Sequence, residues 1–374
     1  MKIVHIITGL KDGGAENILY KICQHDHFNN HIVISIISGG KYFSLLKTMG
    51  IKVYCMNMKF YSILNFFYLI RFLRTLKPDI VQTWLVHGDF IGGIAARLAG
   101  IKNIVWNVLY SKLEIGVEKL RTILLIKILA KLSYIIPKLI IVVSKSSQKN
   151  CQNLGYHKKK IMLVTSGFDL SFFKISKHQK LYFKKKIKIK KHTPLIGIVA
   201  RYHPVKDHTN LLNALSIIRS KNKKFCCVLV GSDMNKKNKI LFNEIKRLQL
   251  DNYVKLLGPK NNISQVMNGL DVNILCSKSE GFSSVIVEAM ACGTPCVVTD
   301  VGDSAFIVGK TGWIVPPKDS IKLANTIEKA LSEIGKKNWK KRCDQARLRV
   351  KNNFGISKMI KSYNIIWSKV YTGN

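Results

Sequence analysis

The chain has 374 residues, 47% of them hydrophobic, and a formal net charge of +40 at pH 7. This length predicts two domains of roughly 150–200 residues each, and the hydrophobic fraction excludes a disordered chain. So large a positive charge is typical of proteins that bind nucleic acid, an anionic membrane surface or an anionic substrate, but a genome biased towards Lys, Ile and Asn codons also produces it.

Cysteine and hydropathy patterns indicate the compartment. The nine cysteines are an odd number and lie mostly in apolar runs, which favours buried thiols in a reducing environment over a disulfide framework. Cys292 and Cys296 have no second Cys or His pair nearby, so we expect no metal site. No signal peptide is evident, and no stretch reaches the ~18 uncharged apolar residues of a spanning helix. We therefore expect a cytoplasmic protein that is either free or peripheral on the inner face of the cytoplasmic membrane.

Strands and helices alternate in the first half of the chain, where a helix over Ala15–Gln24 follows the first strand. The predicted strands are Lys2–Thr8, His31–Ile37, Val53–Met58, Asp79–Trp84, Asn103–Val108, Leu139–Ser144 and Ile161–Thr165. They are continuous apolar runs, which is typical of strands covered on both faces. Two amphipathic helices, Tyr61–Lys77 and Glu118–Lys138, carry Lys or Arg every few residues, so they either lie on a membrane surface or pack on the sheet.

The alternation stops in the lysine-rich stretch 174–193 and then resumes. The predicted strands of the second half are Leu195–Ala200, Cys226–Val230, Val254–Leu257, Val272–Ser277 and Pro295–Thr299, and a helix is predicted over Lys206–Arg219. A βαβ succession predicts a parallel, doubly wound sheet. We therefore predict an α/β protein of two facing Rossmann-like domains, with ligands in an interdomain cleft at the carboxyl ends of both sheets.

The predicted boundaries follow from this pattern. They are an N-terminal Rossmann-like domain over 1–170, a basic linker over 171–193, a C-terminal Rossmann-like domain over 194–353, and a C-terminal helix over 354–374.

A glycine-rich loop follows the first strand and reads Thr8-Gly9-Leu10-Lys11-Asp12-Gly13-Gly14-Ala15-Glu16. Gly13 and Gly14 allow close approach of a ligand, and the helix that follows offers free N–H groups. The loop lacks the G-x-G-x-x-G spacing, and no suitably placed acid follows the second strand, so a nicotinamide cofactor is not expected. The loop contacts a diphosphate or a sugar, or it is only a tight turn.

Two cations follow the first strand of the second domain, in the segment Arg201-Tyr202-His203-Pro204-Val205-Lys206-Asp207. The fork of Arg201 and the point charge of Lys206 can hold the two phosphates of a leaving nucleotide diphosphate and stabilise its growing charge. The alternative is a solvated basic loop.

The most specific pattern runs from Ser279 to Gly293 and contains Glu280 and Glu288. A strand ends, a turn at Gly281 follows, and a helix is predicted to begin near Ser283. The free N–H groups of Phe282, Ser283, Ser284 and Val285 can take a phosphate. Ser284 and Glu288 share a helix face, and a carboxylate suits the vicinal hydroxyls of a ribose or sugar.

These motifs, in this order, resemble glycosyltransferase family 4, the large retaining family with the GT-B fold. The residues that match are Glu280-x7-Glu288, the pair Arg201 and Lys206, Gly13-Gly14-Ala15-Glu16, and Thr299-Asp300-Val301-Gly302. The resemblance implies that Glu288 holds the ribose hydroxyls, that Glu280 approaches the donor sugar, and that Arg201 and Lys206 bind the diphosphate. It also implies that Gly281, Phe282, Ser283, Ser284 and Val285 support the diphosphate. For the domains it implies an acceptor-side domain over 1–170, a nucleotide-sugar-binding domain over 194–353, and a last helix over 354–374 that returns to the N-terminal domain.

The chain departs from the family pattern at two places. An Asn-Gly pair often precedes the linker in the family, but here the sequence is Ser166-Gly167-Phe168-Asp169. Many members have a His after the strand that corresponds to Asn103–Val108, and this chain has none there. His87, after the preceding strand, either orients the sugar or acceptor hydroxyl or is only a helix-start residue.

The resemblance implies a retaining transfer from a nucleotide sugar, UDP- or GDP-linked, to a glycan or lipid-linked acceptor of cell-envelope polysaccharide synthesis. No Asp-x-Asp follows a strand, so we expect neither a metal nor another cofactor. The acceptor site is expected in variable loops such as Trp106–Glu118. Two other hypotheses stay open: a basic nucleic-acid-binding protein, which lacks a recognition motif here, and a sugar-nucleotide epimerase on the same fold. No specific nucleic acid is expected as a partner.

Overall fold

The computed structural model describes residues 1–37, 39–58, 63–109, 120–190 and 192–373, which form two compact units. The first unit comprises Met1–Gly167 and Ile356–Asn374, and the second unit comprises Phe168–Gly355. The chain therefore leaves the first unit once and returns to it with its last segment. Each unit has its own parallel sheet with helices on both faces.

Seven described strands form the sheet of the first unit. They are β1 (Lys2–Ile7), β2 (Asn30–Ser35), β3 (Lys52–Cys55), β4 (Ile80–Trp84), β5 (Ile104–Val108), β6 (Leu139–Val142) and β7 (Ile161–Leu163). The order is β3-β2-β1-β4-β5-β6-β7, and each neighbouring pair is parallel. The order reverses between β1 and β4, which opens a crevice at the carboxyl ends of these two strands.

The helices of residues 1–167 cover both faces of this sheet. They are α1 (Gly14–His25), α2 (Lys41–Thr48), α3 (Ile63–Leu76), α4 (Leu85–His87), α5 (Gly93–Leu98), α6 (Leu120–Leu132) and α7 (Lys145–Asn153), with a π-helical turn at Gly88–Gly92. Helices α1 and α2 pack on one face, and α3, α5 and α6 pack on the other. No helix in the described ranges is both long enough and apolar enough to span a membrane. The residues Tyr61 and Glu118 of the predicted amphipathic helices, and 110–118 of the predicted acceptor loop, lie outside the described residues.

Six described strands form the sheet of the second unit. They are β8 (Leu195–Val199), β9 (Cys226–Val230), β10 (Val254–Gly258), β11 (Val272–Leu275), β12 (Cys296–Thr299) and β13 (Trp313–Val315). The order is β10-β9-β8-β11-β12-β13, with parallel pairs throughout, so it reverses between β8 and β11. The prediction of two doubly wound parallel sheets is confirmed. The sequence pattern missed β13, because three residues between Gly312 and Pro316 are too short to show a period.

The helices of the second unit are α8 (Lys177–Lys186), α9 (His208–Ser220), α10 (Lys239–Arg247), α11 (Ile263–Gly269), α12 (Ser284–Ala291), α13 (Ser304–Val308), α14 (Ser320–Glu333) and α15 (Lys337–Phe354). Helix α8 occupies much of the stretch 171–193 that the sequence suggests is a linker. Asp271, which precedes β11, accepts from Lys180 at 2.6 Å and from Lys184 at 2.9 Å. Burial opposes ionisation of Asp271, but the two lysines lower its pKa below the usual value. This buried ion pair fixes the basic stretch to the second unit.

The last helix, α16 (Ile356–Thr372), packs on the sheet of the first unit, on the same face as α1 and α2. It begins after Gly355, because α15 extends to Phe354, whereas the sequence suggests one isolated helix from Phe354. Trp367 Nε1 donates to Gln82 Oε1 on β4 at 2.6 Å, and the Tyr363 hydroxyl donates to Asn107 Oδ1 on β5 at 3.4 Å. Buried hydrogen bonds thus set the position of α16 on the strands.

A buried row of hydrogen bonds lies beside Trp367. Trp84 Nε1 can only donate, so at 3.2 Å it makes His5 Nδ1 an acceptor and places the proton of His5 on Nε2. His5 Nε2 then donates to His31 Nδ1 at 2.9 Å, and His31 Nε2 donates to Asp26 Oδ2 at 3.2 Å. Burial opposes ionisation of Asp26, but hydrogen bonds led by that from His31 lower its pKa to about 2. The row is fully bonded when both imidazoles are neutral and Asp26 is ionised.

Cys23 lies close enough to His5 and His31 for the three side chains to form a group of metal-ligand spacing. The two imidazole nitrogens that face each other are joined by a hydrogen bond, and the indole of Trp84 holds the other nitrogen of His5 as an acceptor. His5 Nε2 therefore carries a proton and has no lone pair for an ion. The geometry favours a structural role for this cluster.

Acid should destabilise the first unit through His5. Burial, followed by the neighbouring His31, lowers the pKa of His5 well below its usual value. Below about pH 6.5 the unfolded chain therefore binds a proton at His5 that the folded unit does not bind. The contribution of His5 to the free energy of unfolding is fully present above about pH 6.5 and is lost as the pH drops below it. We expect His5→Gln, which can keep both hydrogen bonds, to reduce the dependence of the free energy of unfolding on pH. Urea unfolding at a series of pH values below about 6.5 measures this dependence. The exposed His27→Gln is the matched control, and an unchanged slope in His5→Gln would contradict the assignment.

Substitution of Trp367 should loosen α16. Trp367→Phe removes the donor to Gln82 and leaves a buried acceptor unsatisfied, so we expect a loss of about 2–4 kcal/mol. Hydrogen–deuterium exchange over 356–372 should accelerate in this variant. Tyr371→Phe, which changes a half-exposed ring four residues further on, should leave the exchange unchanged; equal protection in both variants would refute the role of the indole bond.

Candidate active site

The loops that follow β8 and β11 meet where the strand order of the second sheet reverses. The backbone N–H of Lys278, after β11, donates to the carbonyl of Val205, after β8, at 2.7 Å. Cys276 Sγ also donates to the carbonyl of Lys206 at 3.1 Å. These bonds hold the two charged loops side by side at the carboxyl edge, where ligands of doubly wound sheets bind.

Lys206 and Glu280 are brought together across this junction. Lys206 Nζ lies 2.5 Å from Glu280 Oε1, and Ser277 Oγ donates to the same oxygen at 2.6 Å. The side chains of Lys206 and Glu280 are 23% and 11% exposed, so solvent screens the pair only in part. Among the described residues Glu280 Oε2 has no hydrogen-bond partner. One carboxylate oxygen is thus anchored, and the other is available to a ligand hydroxyl.

Ser277 is a site residue that the sequence motifs do not single out, because it reads as the last residue of a strand. It is fully buried, and its carbonyl accepts from Thr299 Oγ1 at 2.7 Å. Its backbone is therefore held by the neighbouring strand β12, and its hydroxyl is aimed at Glu280. The only signal in the sequence is a small hydroxyl residue three positions before the acid.

Lys206 sits on a short turn and not in the helix predicted from that residue. Pro204–Lys206 form a 3-10 turn, Asp207 has a left-handed backbone with φ of 52°, and α9 begins at His208. Lys278 Nζ lies 3.4 Å from Asp207 Oδ1, which fixes this strained residue. The turn projects Lys206 towards Glu280, and a continuous helix would have given it a different direction.

Arg201 lies on the same edge, two residues after β8. It is exposed, and within the described part of the chain it makes no hydrogen bond or ion pair. The backbone beside it is fixed, since Tyr202 N donates to the Ser232 carbonyl at 2.9 Å. A guanidinium on a fixed backbone and without an acidic partner can bind an anion without first breaking a salt bridge.

The turn after β12 supports the loop that carries Glu280. Gly302 has a φ of 54°, and a Cβ there would collide with the carbonyl oxygens of Glu280 and Gly281. Asp303 N donates to the Gly281 carbonyl at 3.0 Å. Only glycine allows this approach, so the segment Thr299–Gly302 has a physical role in holding the Glu280 loop.

Helix α12 begins directly after this loop. Ser283 is its buried N-cap residue, but its side chain makes no capping hydrogen bond, so the first N–H groups remain available to a ligand. The Phe282 ring stacks on Phe168 at 6.1 Å and packs edge-on against Phe354 at 5.6 Å. Phe282 can therefore offer a ligand its backbone and not its ring.

Glu288 lies one turn into α12, on the face that carries the exposed Ser284. It is half-buried, while its neighbours Val287 and Ala289 are in the core. Val285, also half-buried, packs against the same core. Glu288 therefore lies at the boundary between the core and the exposed face of α12.

In the first unit, Gly13 and Gly14 begin α1 after β1. A Cβ on Gly13 would collide with the Glu16 carboxylate, which folds back over the helix start. Burial raises the pKa of Glu16, although a hydrogen bond from its own N–H opposes the shift. A carboxylate at this helix start competes with a phosphate, which favours contact with hydroxyl groups at the glycine turn.

His87 follows β4, the neighbour of β1. A Cβ on the adjacent Gly88 would lie 3.0 Å from the Ile6 carbonyl and 3.6 Å from Thr8 N, so the turn after β4 runs against the start of the glycine loop. Burial lowers the pKa of His87, which favours the neutral imidazole at pH 7. The two predicted elements of the first unit thus share one edge of the sheet.

Asp89 is a second residue that the motifs do not single out. It lies in the π-helical turn after His87 and is 1% exposed. Thr83 Oγ1 donates to its Oδ1 at 2.6 Å. Burial raises the pKa of Asp89 well above its usual value, despite the hydrogen bond from Thr83. A buried acid in a π-turn fixes the backbone that carries His87.

Each of the two units matches a known protein family. The family described as Glycosyltransferase Family 4 matches residues 12–172, and the family described as Glycosyl transferases group 1 matches residues 179–346. The chain belongs to glycosyltransferase family 4. The two matches leave out only the chain ends and a short gap.

Two bacterial relatives extend over most of this family 4 chain. The UDP-Gal:alpha-D-GlcNAc-diphosphoundecaprenol alpha-1,3-galactosyltransferase of Escherichia coli is 25% identical over 78% of this chain and 76% of its own length. The N,N'-diacetylbacillosaminyl-diphospho-undecaprenol alpha-1,3-N-acetylgalactosaminyltransferase of Campylobacter jejuni is 28% identical over 72% of this chain and 73% of its own length.

The fold is GT-B. The HepE protein of Anabaena, solved in complex with UDP, matches with a TM-score of 0.84 at 23% identity, over 99% of this chain and 100% of that one. A structure of the same protein in complex with UDP-glucose matches with a TM-score of 0.78 at 22% identity, over 100% of both chains. Both matches cover the two sheets of this glycosyltransferase.

Removal of the Ser277 hydroxyl should misplace Glu280 without unfolding the loop. We expect Ser277→Ala to lower kcat/KM for sugar transfer roughly tenfold, the worth of one hydrogen bond to a charged group. Ser277→Thr should restore most of the loss. Ser279→Ala, in the same loop, removes a hydroxyl that has no hydrogen-bond partner among the described residues and serves as the control. Equal activity in Ser277→Ala and Ser279→Ala would contradict the positioning role.

Proposed function

We propose that this family 4 enzyme transfers a sugar, with retention of configuration, from a UDP-linked donor to a lipid-linked glycan precursor of a cell-envelope polysaccharide such as O-antigen or capsule. The observation that carries the proposal is the junction of Lys206, Glu280 and Ser277 at the point where the strand order reverses, on the edge that also carries Arg201, a cation with no acidic partner in the described part of the chain. This group offers two cations to a diphosphate and one carboxylate oxygen to a sugar.

The donor is bound by the second unit in this proposal. Arg201, Lys206 and the N–H groups at the start of α12 hold the diphosphate, Glu280 Oε2 accepts from a sugar hydroxyl, and Glu288 accepts from the ribose hydroxyls. UDP is favoured over GDP because the Escherichia coli relative is named for UDP-Gal, and HepE was solved with UDP and with UDP-glucose.

The chemistry needs charge stabilisation more than a protein nucleophile. The bond between the anomeric carbon and the diphosphate oxygen breaks while the acceptor oxygen bonds to the same face of that carbon, and the acceptor proton passes to the departing phosphate oxygen. The diphosphate gains negative charge in this step, and the positive charges of Arg201 and Lys206 stabilise it there. We propose that these cations make a metal ion unnecessary and that no other cofactor takes part.

The first unit serves the acceptor in this proposal. His87 is neutral because burial lowers its pKa, and it orients the acceptor or sugar hydroxyl. Gly13 and Gly14 allow a hydroxyl-bearing ligand to approach the start of α1. Both relatives named above act on a diphospho-undecaprenol acceptor and form an alpha-1,3 linkage, which supports a lipid-linked acceptor and an α-linked product. We place the enzyme on the cytoplasmic side of the membrane, where such an acceptor would meet a soluble nucleotide sugar.

Thermal stabilisation by nucleotides tests the donor site. UDP should raise the melting temperature of the wild-type chain, because a ligand of the folded state stabilises it by mass action, and GDP, ADP, CDP and TDP should raise it less. Lys206→Ala and Glu288→Ala should each lose most of the shift. Lys329→Ala, an exposed lysine on α14, should keep it.

Measurements in EDTA test metal independence separately from the transferase assignment. An unchanged UDP shift and unchanged transfer activity in EDTA are expected if the two cations suffice. Loss of activity in EDTA, restored by a divalent cation, would overturn metal independence alone. No shift with any nucleotide, together with salt-sensitive binding to DNA, would overturn the transferase assignment in favour of nucleic-acid binding.

A further inference from the structure

Three consecutive residues link the two charged loops of the second unit. Cys276, Ser277 and Lys278 follow β11, and we call them the 276–278 segment. The hydroxyl of Ser277 bonds forward to Glu280. The other two residues bond back to the turn that carries Lys206, one through its thiol and one through its backbone N–H. The end of one strand therefore sets the distance between the cation and the carboxylate of the candidate site.

Cys276 is fully buried and contacts the backbone of this turn. Its Sγ lies 3.1 Å from the Lys206 carbonyl oxygen and 3.4 Å from that of Asp207. Burial raises the pKa of the thiol to about 12, and the neighbouring Asp207 carboxylate adds to the shift. The thiol therefore keeps its proton at neutral pH and remains a hydrogen-bond donor to these two carbonyls.

The turn depends on contacts from outside itself. Asp207 has a left-handed backbone with φ of 52°, a conformation that non-glycine residues rarely adopt unless the surrounding structure holds them there. Among the described residues, Cys276 is the only hydrogen-bond donor to the Lys206 carbonyl. Removal of the thiol leaves this carbonyl without that donor and allows the strained turn to relax, so the direction of Lys206 changes with it.

A change in direction matters because Lys206 has two anionic partners in the proposed function. Its Nζ pairs with Glu280, and it also binds the diphosphate of the donor. The energy of each charge pair falls as the distance between the charges grows. A displacement of about 1 Å at a positioning group can cost as much as a hundredfold in rate. The backbone contact that fixes Lys206 therefore has a functional consequence beyond its own small bond energy.

We propose that Cys276 is a positioning residue of this transferase, whose thiol holds the turn of Lys206 where the ammonium group reaches both Glu280 and the leaving diphosphate. This rests on the proposed function, because the diphosphate is that of the proposed nucleotide-sugar donor. The thiol contacts neither donor nor acceptor and acts only through Lys206. It complements Ser277, which fixes the carboxylate from the same segment.

The affinity for UDP, measured by titration calorimetry, tests this role, because UDP is the proposed leaving group and carries the charge that Lys206 stabilises. Cys276→Ala removes the donor and should raise the Kd of UDP about fivefold, which corresponds to one hydrogen bond. Cys276→Val, which fills the space of the thiol, should show the same loss. Cys276→Ser keeps a donor and should restore a Kd within about twofold of the wild type.

Cys227→Ala is the matched control. Cys227 is fully buried in the same core as Cys276, on β9, and its thiol has no hydrogen-bond partner among the described residues. Its removal should lower the melting temperature about as much as Cys276→Ala does, because both substitutions delete a buried sulfur. The Kd of UDP should stay at the wild-type value in this control.

A double-mutant cycle separates a positioning role from a general loss of structure. In a Lys206→Ala background, measured at millimolar UDP, Cys276→Ala should cause no further loss of affinity, because the thiol acts through the lysine that is already absent. A structural defect would weaken binding by the same factor in both backgrounds.

Equal loss of UDP affinity in Cys276→Ala and Cys227→Ala would overturn the inference, as would a full additional loss in the Lys206→Ala background or failure of Cys276→Ser to rescue. The donor site would stand in each of these cases, because the wild-type chain still binds UDP. No binding of UDP to the folded wild-type chain would instead overturn the proposed function, and this inference with it.

Discussion

In a parallel sheet whose strand order reverses, the helices that follow the two central strands lie on opposite faces of the sheet, and both units of this chain depend on that constraint. In the second unit the reversal lies between β8 and β11, and in the first between β1 and β4. Each crevice is bordered by the loops that carry the candidate site residues. The helices and the outer strands hold these central strands in place, so the position of the site follows from the topology before any side chain is considered.

Most charged side chains at the candidate site of the second unit are paired with a charge of opposite sign. Lys206 is balanced by Glu280, and Asp207 is balanced by Lys278, while Arg201 has no partner among the described residues. In the proposed donor site, a diphosphate would meet one cation that has no partner among the described residues and one cation that is already paired with a carboxylate. Such a shared lysine can move towards the diphosphate as its charge grows, which would favour the transition state over the bound substrate. The surplus of +40 is mostly a property of the rest of the surface.

Much of the fold could be predicted because it depends on local pattern. Continuous apolar strands and intervening helices indicated the two doubly wound sheets, and the Glu280-x7-Glu288 spacing indicated the loop and helix start of the second unit. The pattern does not indicate which side chains bond to each other when they lie far apart in the chain. Asp271 holds a helix through a lysine 91 positions earlier, and Trp367 bonds to Gln82 across 285 positions. The bond from Ser277 to Glu280 is local, but it depends on side-chain direction, which a sequence motif does not carry. The roles given to Arg201, Glu288 and His87 stay predictions.

The return of α16 to the first unit has a consequence for the order in which the chain can fold during synthesis. One face of the first sheet is completed by Met359, Tyr363 and Trp367, and these residues are synthesised after the whole of the second unit. The second unit is continuous in sequence and can close its core while that face still lacks its final helix. The first unit, although its synthesis begins first, is therefore expected to reach its full stability after the second, so a nascent chain would present an incomplete apolar surface until α16 has been synthesised.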